Sequence, residues 1–163
     1  MRSLSLALVF ALFLPSLRAH ACTCVPGDRP FLEAVADARV VVVATVTRHR
    51  RAWPFGRERY LDLQVDEVLV GPTKLRKLVV TGDNGRECRH YATAFPVGTR
   101  WVFALTSYGK PSDLGISRCS ESALAIDGAA ITGVVTKDAN GRLFSETTTL
   151  EDLKTRLKAQ TAR

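Results

Sequence analysis

Residues 39–47 (RVVVVATVT) carry almost no polar side chain and are dominated by β-branched residues. The run is too short and too valine-rich for a good helix, so it predicts a buried strand. Residues 60–70 alternate instead, with Leu61, Leu63 and Val65 set against Asp62, Gln64 and Asp66. Strict alternation predicts a half-buried strand. Gly71-Pro72 marks a turn, and residues 77–81 read as a strand ended by Gly82-Asp83-Asn84-Gly85. Residues 100–106 (RWVFALT) form another strand after the Pro96-Val97-Gly98 turn, and shorter strands are expected near 116–119 and 131–136. Asn140-Gly141 signals a hairpin between Val134-Val135 and Leu143-Phe144. The period then changes. Leu150, Leu153 and Leu157 share one helical face over residues 150–160, with Thr148 or Thr149 as cap. Near the other end, Asp28 is placed to cap a short helix bearing Pro30, Phe31, Leu32 and Val35. Five or six strands with a helix near each end predict a mainly β protein. Its economical form is a small closed antiparallel barrel, because closure removes exposed edges.

The N-terminus reads differently. Arg2 precedes an apolar stretch from Leu4 to Leu14, Pro15 breaks it, and Ala19-His20-Ala21 offers small residues for cleavage. This predicts a signal peptide over residues 1–21, short of the roughly 20 apolar residues that span a bilayer. The alternatives are a retained anchor helix and a lipidated Cys22. Against lipidation, Ala19 stands where a leucine is usual. Residues 22–163 are then expected as a single exported domain, secreted or periplasmic. The chain of 163 residues carries a net charge of +7. The expected leader holds Arg2 and Arg18 and no acid, so the remainder stays basic.

Four cysteines, Cys22, Cys24, Cys88 and Cys119, follow the leader. An even number in an exported chain predicts disulfides, and four cysteines allow three connectivities. A redox pair would want C-x-x-C in a βαβ context, and a structural zinc site would want paired C-x-x-C spacing. Neither is present, and a disulfide staple is the expectation. Cleavage after Ala21 would add one capability. The α-amine and carbonyl oxygen of Cys22 would then form a five-membered chelate able to fill the open position of a catalytic zinc. A free α-amine has a pKa of about 7.7–8.0, close enough to neutrality to ligate a metal.

Cys22-Thr23-Cys24-Val25-Pro26 resembles the N-terminus of the tissue inhibitors of metalloproteinases. Their inhibitory domain is a netrin-like module with an oligonucleotide/oligosaccharide-binding (OB-fold) type of barrel. Cys88 is followed by Tyr91, the Val97-Gly98 turn and Trp101-Val102-Phe103-Ala104, similar to the cysteine, aromatic, Val-Gly, aromatic-strand run of such modules. The resemblance spans residues 22–122. It implies disulfides Cys22–Cys88 and Cys24–Cys119, with Cys22 chelating a target protease's zinc and Thr23 entering the neighbouring pocket. Cys24, Val25 and Pro26 would continue the inhibitory ridge, flanked by Arg86, Glu87 and Cys88. The chain departs from animal inhibitors in lacking their third disulfide and cysteine-rich second domain. Arg86-Glu87 is also bulkier and more charged than the residues usual there.

A different class of function comes from the basic connection expected over residues 48–59. Arg48, Arg50, Arg51, Arg57 and Arg59 lie there with Trp53 and Phe55 interleaved. Such a loop suits an anionic polysaccharide or surface, and the export signal points away from nucleic acid. His49 and His90 are far apart in sequence, there is no H-E-x-x-H, and Ser107 and Ser120 lack a nucleophile context. The chain is therefore expected to be a non-enzymatic monomer without cofactor. It would be either an inhibitor acting through Cys22 or a netrin-like binding module acting through its barrel face or basic loop.

Overall fold

The computed structural model describes Cys24 and residues 28–52, 56–83 and 87–161. The expected leader, Cys22, Thr23, Val25, Pro26, Trp53, Phe55 and Arg86 lie outside the described residues. The described chain runs α1 (Phe31–Val35), β1 (Val40–Arg51), β2 (Glu58–Val70), β3 (Lys77–Thr81), a 3₁₀ turn (Ala92–Ala94), β4 (Arg100–Tyr108), β5 (Lys110–Gly115), β6 (Ala123–Asp127), β7 (Ala130–Gly133), β8 (Glu146–Thr149) and α2 (Leu150–Thr161).

The sheet order is β1-β2-β3-β5-β4-β6-β7-β8, and β4 also pairs with β1. That extra pairing closes β1, β2, β3, β5 and β4 into a five-stranded barrel of the expected mainly β class. Strands β6, β7 and β8 then extend from the wall beyond β4. The barrel is antiparallel except at one seam, where Thr81 of β3 meets Gly115 of β5 in parallel. Four register shifts along the β1–β2 ladder let this long pair coil around the barrel.

The apolar run of residues 39–47 now has its physical reason. Val40, Val42, Ala44 and Val46 point into the barrel with Leu61, Leu63, Val80, Phe103 and Leu105. Val41 and Val43 point outward, beneath a second core built by Phe31, Val102, Ala104, Leu124, Ile131, Leu153 and Leu157. A strand buried on both faces needs no polar alternation. The segment from Ile131 onward matches no motif of the resembled family. It supplies part of this outer layer, because α2 lays Leu153 and Leu157 over the barrel wall.

Local differences from the sequence reading are small and explicable. Asp28 does not cap α1; Pro30 occupies the cap position and no side chain caps the helix. Its first N–H groups are served by the backbone, Phe31 donating to Val134 O at 2.8 Å and Leu32 to Val135 O at 3.1 Å. The Asn140-Gly141 turn forms, but its flanks meet only at the Lys137–Leu143 bridge, and the strand that pairs with β7 is β8. α2 is capped as read, with Asp152 N–H donating to Thr149 Oγ1 at 3.2 Å.

Candidate functional site: the arginine arm and its recess

Residues 48–51 and 58–59 are strand, not the loop that the sequence suggests. β1 and β2 extend through most of that segment, pairing Arg48 with Asp62, His49 with Leu61, Arg50 with Tyr60 and Arg51 with Glu58. Beyond Thr45 the β1–β4 ladder ends, so the last residues of β1 form an arm at the sheet edge with the start of β2, which β3 flanks on its other side from Tyr60 onward. Near its tip Gly56 N–H donates to Ala52 O at 2.9 Å.

The five arginines of the arm are not equivalent. Arg48 reaches Asp62 Oδ2 at 2.6 Å, and Arg50 Nε reaches Asp62 Oδ1 at 2.8 Å. One carboxylate therefore pairs with both and offsets one of their two charges, with its own side chain only 19 % exposed. Arg59 is half-buried and lies over the Tyr60 ring at 5.9 Å. Arg51 and Arg57 are exposed, and among the described residues neither makes an ion pair. They line a recess of about 420 Å³ together with Gly56, Glu58, Tyr91 and Thr93. A second groove of about 540 Å³ runs along Thr47, Arg48, Arg50, Asp62 and Lys77, but there Asp62 has already met the two guanidiniums.

His49 joins the two walls of the recess. Its Nε2 donates to the Phe95 carbonyl at 2.8 Å, and its Nδ1 lies 3.1 Å from Glu58 Oε2. The arm is thereby tied to the turn that carries Tyr91 and Thr93. Gly82 lets the same walls approach. A Cβ there would stand 2.8 Å from Ala92 N, 3.1 Å from Arg59 O and 3.2 Å from His90 O, all backbone atoms. Only a residue without a side chain lets β3 pass between them, donating from Gly82 N to Arg59 O at 2.6 Å and from Asp83 N to His90 O at 3.0 Å.

The segment leading to Tyr91 is fixed from inside by Arg89, which is fully buried. Its guanidinium makes a two-pronged pair with Asp113 at 3.0 and 2.9 Å, reaches Glu87 Oε2 at 3.0 Å and lies 3.9 Å from the Tyr108 ring centroid. The Arg89 hydrogen bonds hold the Asp113 carboxyl below its ordinary range, against an opposing effect of burial. His90, next along, is held below the ordinary histidine value, first by burial and then by the Arg118 charge. Arg118 also lies over the Tyr91 ring at 5.8 Å.

Cys24 and Cys119 form the expected disulfide, and Cys88 is also disulfide-bonded. The predicted Cys22–Cys88 pairing lies outside the described residues. The inhibitor expectation is corrected on this finding. It needed a free cysteine N-terminus offered to a protease's zinc, and the described cysteine of that segment, Cys24, is spent in the bond to Cys119. The segment is a staple, and the readings as a metalloprotease inhibitor and as an inhibitor-like protein fall with it. Glu87, expected beside the inhibitory ridge, forms an ion pair with buried Arg89 instead. Among the described residues no three histidine, cysteine or acidic side chains gather as metal ligands.

The sequence reading found the arginines but missed what separates them, namely Asp62, and what builds the recess, namely His49 and Thr93. Small buried Ala92 between polar Tyr91 and Thr93 was the available signal for a tight turn presenting two side chains. No protein-family model matches the chain, and no curated protein matches it.

Proposed function

We propose that the chain is a netrin-like binding module whose β1–β2 arm engages a polyanionic partner through Arg51 and Arg57. The observation that carries this reading is the division of the arm's charge. Asp62 pairs with Arg48 and Arg50 and offsets one of their two charges, whereas Arg51 and Arg57 are exposed and without a carboxylate partner among the described residues. Unpaired guanidiniums facing one recess attract multivalent anions, and salt weakens that attraction. The netrin-like assignment is part of the proposal. It is supported by the five-stranded barrel with its Cys24–Cys119 staple and by the run from Cys88 through Tyr91 to Trp101-Val102-Phe103-Ala104.

Binding of dextran sulfate, with neutral dextran as control, tests it by titration calorimetry at low and high salt. Exposed charge contacts contribute about 0.2–1 kcal/mol each. Arg51→Ala with Arg57→Ala should therefore weaken binding by about twofold to thirtyfold, and Arg48→Ala should weaken it less. Equal losses from the two variants, or binding indifferent to salt, would refute the assignment to the arm tip.

A further inference from the structure

Resting on the polyanion reading above, we infer that the recess between the arm and the 3₁₀ turn is a subsite for one ring of an acidic saccharide, with Tyr91 as the stacking platform. Three features of the lining select this ligand class. Tyr91 is 45 % exposed, one of few large aromatics left so open in the described chain, although its neighbours Arg89 and Ala92 are fully buried. Its backbone is fixed at the edge of the turn, and Arg118 lies over its ring, so the ring is a firm surface rather than a loose side chain. Aromatic faces pair with the apolar C–H face of a pyranose as they do with other flat apolar groups.

The second feature is the mixture of charges. Arg51 and Arg57 offer guanidinium donors suited to sulfate or carboxylate. Glu58 lies in the same recess, and its Oε2 is occupied by His49. The other carboxylate oxygen is an acceptor among cations, which a phosphate chain would meet as repulsion. An acidic sugar unit carries both partners, acid groups for the arginines and hydroxyl donors for Glu58 and the Thr93 hydroxyl. The third feature is size. The recess of about 420 Å³ is at the lower end of ordinary ligand pockets. It suits one ring with its substituents and leaves the remaining units of a chain along the arm.

A single-stranded nucleic acid would also stack on an aromatic ring; among the described residues Tyr91 is the aromatic lining this recess, and a single-stranded probe separates the two ligands.

Titration calorimetry on the full chain distinguishes these cases. The probes are a heparin-derived hexasaccharide, inorganic polyphosphate of equal charge and an oligodeoxythymidylate. Tyr91→Ala should weaken hexasaccharide binding by about tenfold, the order of effect that stacking on one ring commands, while polyphosphate binding stays within about twofold. Tyr91→Phe should bind the hexasaccharide like the parent. Glu58→Gln should strengthen polyphosphate binding without strengthening that of the hexasaccharide. Equal losses for hexasaccharide and polyphosphate in Tyr91→Ala, or no loss, would overturn the subsite. A greater loss for the oligodeoxythymidylate would assign the platform to nucleic acid instead. If the Arg51 and Arg57 variants also leave every probe unaffected, the polyanion reading itself falls; if they alone weaken binding, that reading stands without the saccharide subsite.

Discussion

Removing Asp113 while keeping Arg89 should damage the fold more than removing the Arg89 charge altogether. Arg89 is a fully buried guanidinium with two hydrogen bonds to Asp113 at 3.0 and 2.9 Å, an ion-pair contact with Glu87 at 3.0 Å and the Tyr108 ring 3.9 Å away. Asp113→Ala takes away two charge-assisted hydrogen bonds, each worth about 1.5–3 kcal/mol. Glu87 and Tyr108 remain, and the Asp113 side chain is 34 % exposed, so water already screens part of the pair. The net loss should be about 2–4 kcal/mol, seen as a fall in Tm of about 4–16 °C for a chain of this size. Arg89→Met removes the charge that demands partners and keeps much of the volume, so it should cost less than about 1.5 kcal/mol. Urea denaturation of the parent and both variants measures the difference, with unchanged m-values showing that the unfolded state is not altered. The acid limb gives a second reading. The Asp113 pKa is lowered in the fold from its ordinary 3.8, so its stabilisation is present above that unfolded value and is lost as pH falls through the lower folded one. The gap between parent and Asp113→Ala should close there. A variant Arg89→Met as unstable as Asp113→Ala, or a gap that persists in strong acid, would refute this account of the buried pair.

Gly82→Ala should destabilise the protein by about 1–3 kcal/mol, because its Cβ would meet three backbone atoms that cannot swing aside; thermal unfolding measures it, and a loosened recess should show as reduced protection of the Tyr91 amide in hydrogen exchange. The double variant Cys24→Ser with Cys119→Ser opens a link between residues 95 apart and should cost about 2–4 kcal/mol in non-reducing denaturation. His90 has its pKa lowered in the fold from 6.5, first by burial and then by Arg118. The unfolded chain therefore takes up the proton first, and stability should decline as pH falls below about 6.5; His90→Gln should flatten that part of the Tm–pH curve.

The barrel strands were legible wherever a strand faces two uniform environments. Residues 39–47 read as buried because Val40 and Val42 face one core and Val41 and Val43 another. Residues 60–70 alternate because only Leu61, Leu63 and Val65 are buried, whereas Asp62, Gln64 and Asp66 are not. β5 was missed because Lys110-Pro111-Ser112-Asp113 lacks apolar residues and contains proline. It is held instead by Leu114 and by the Asp113 pair with Arg89, a long-range contact that no local pattern carries. The arm read as a loop because arginines have no burial signature. Its strand character comes from partners on β2, Asp62 above all. The recess joins residues 49–58 to 91–95, and that adjacency depends on Gly82, whose need for close approach looks in the sequence like an ordinary turn glycine.

The double-sided burial of β1 and β4 sets how the molecule comes apart. The same ladder, Val41 to Ala104 and Val43 to Val102, is a wall of the barrel interior and the floor beneath α1 and α2. No cut through the chain separates two units that could melt on their own. Opening the helical layer strips one face of strands whose other face closes the barrel, so the two cores share one cooperative transition. Amides of residues 41–44 and 102–104 should exchange only through global unfolding. A chain ending before Ala130 would lack Ile131, Leu153 and Leu157, leaving Val41, Val43, Val102 and Ala104 with only Phe31, Val35 and Leu124 of their cover, an apolar surface that drives self-association instead of a smaller stable barrel.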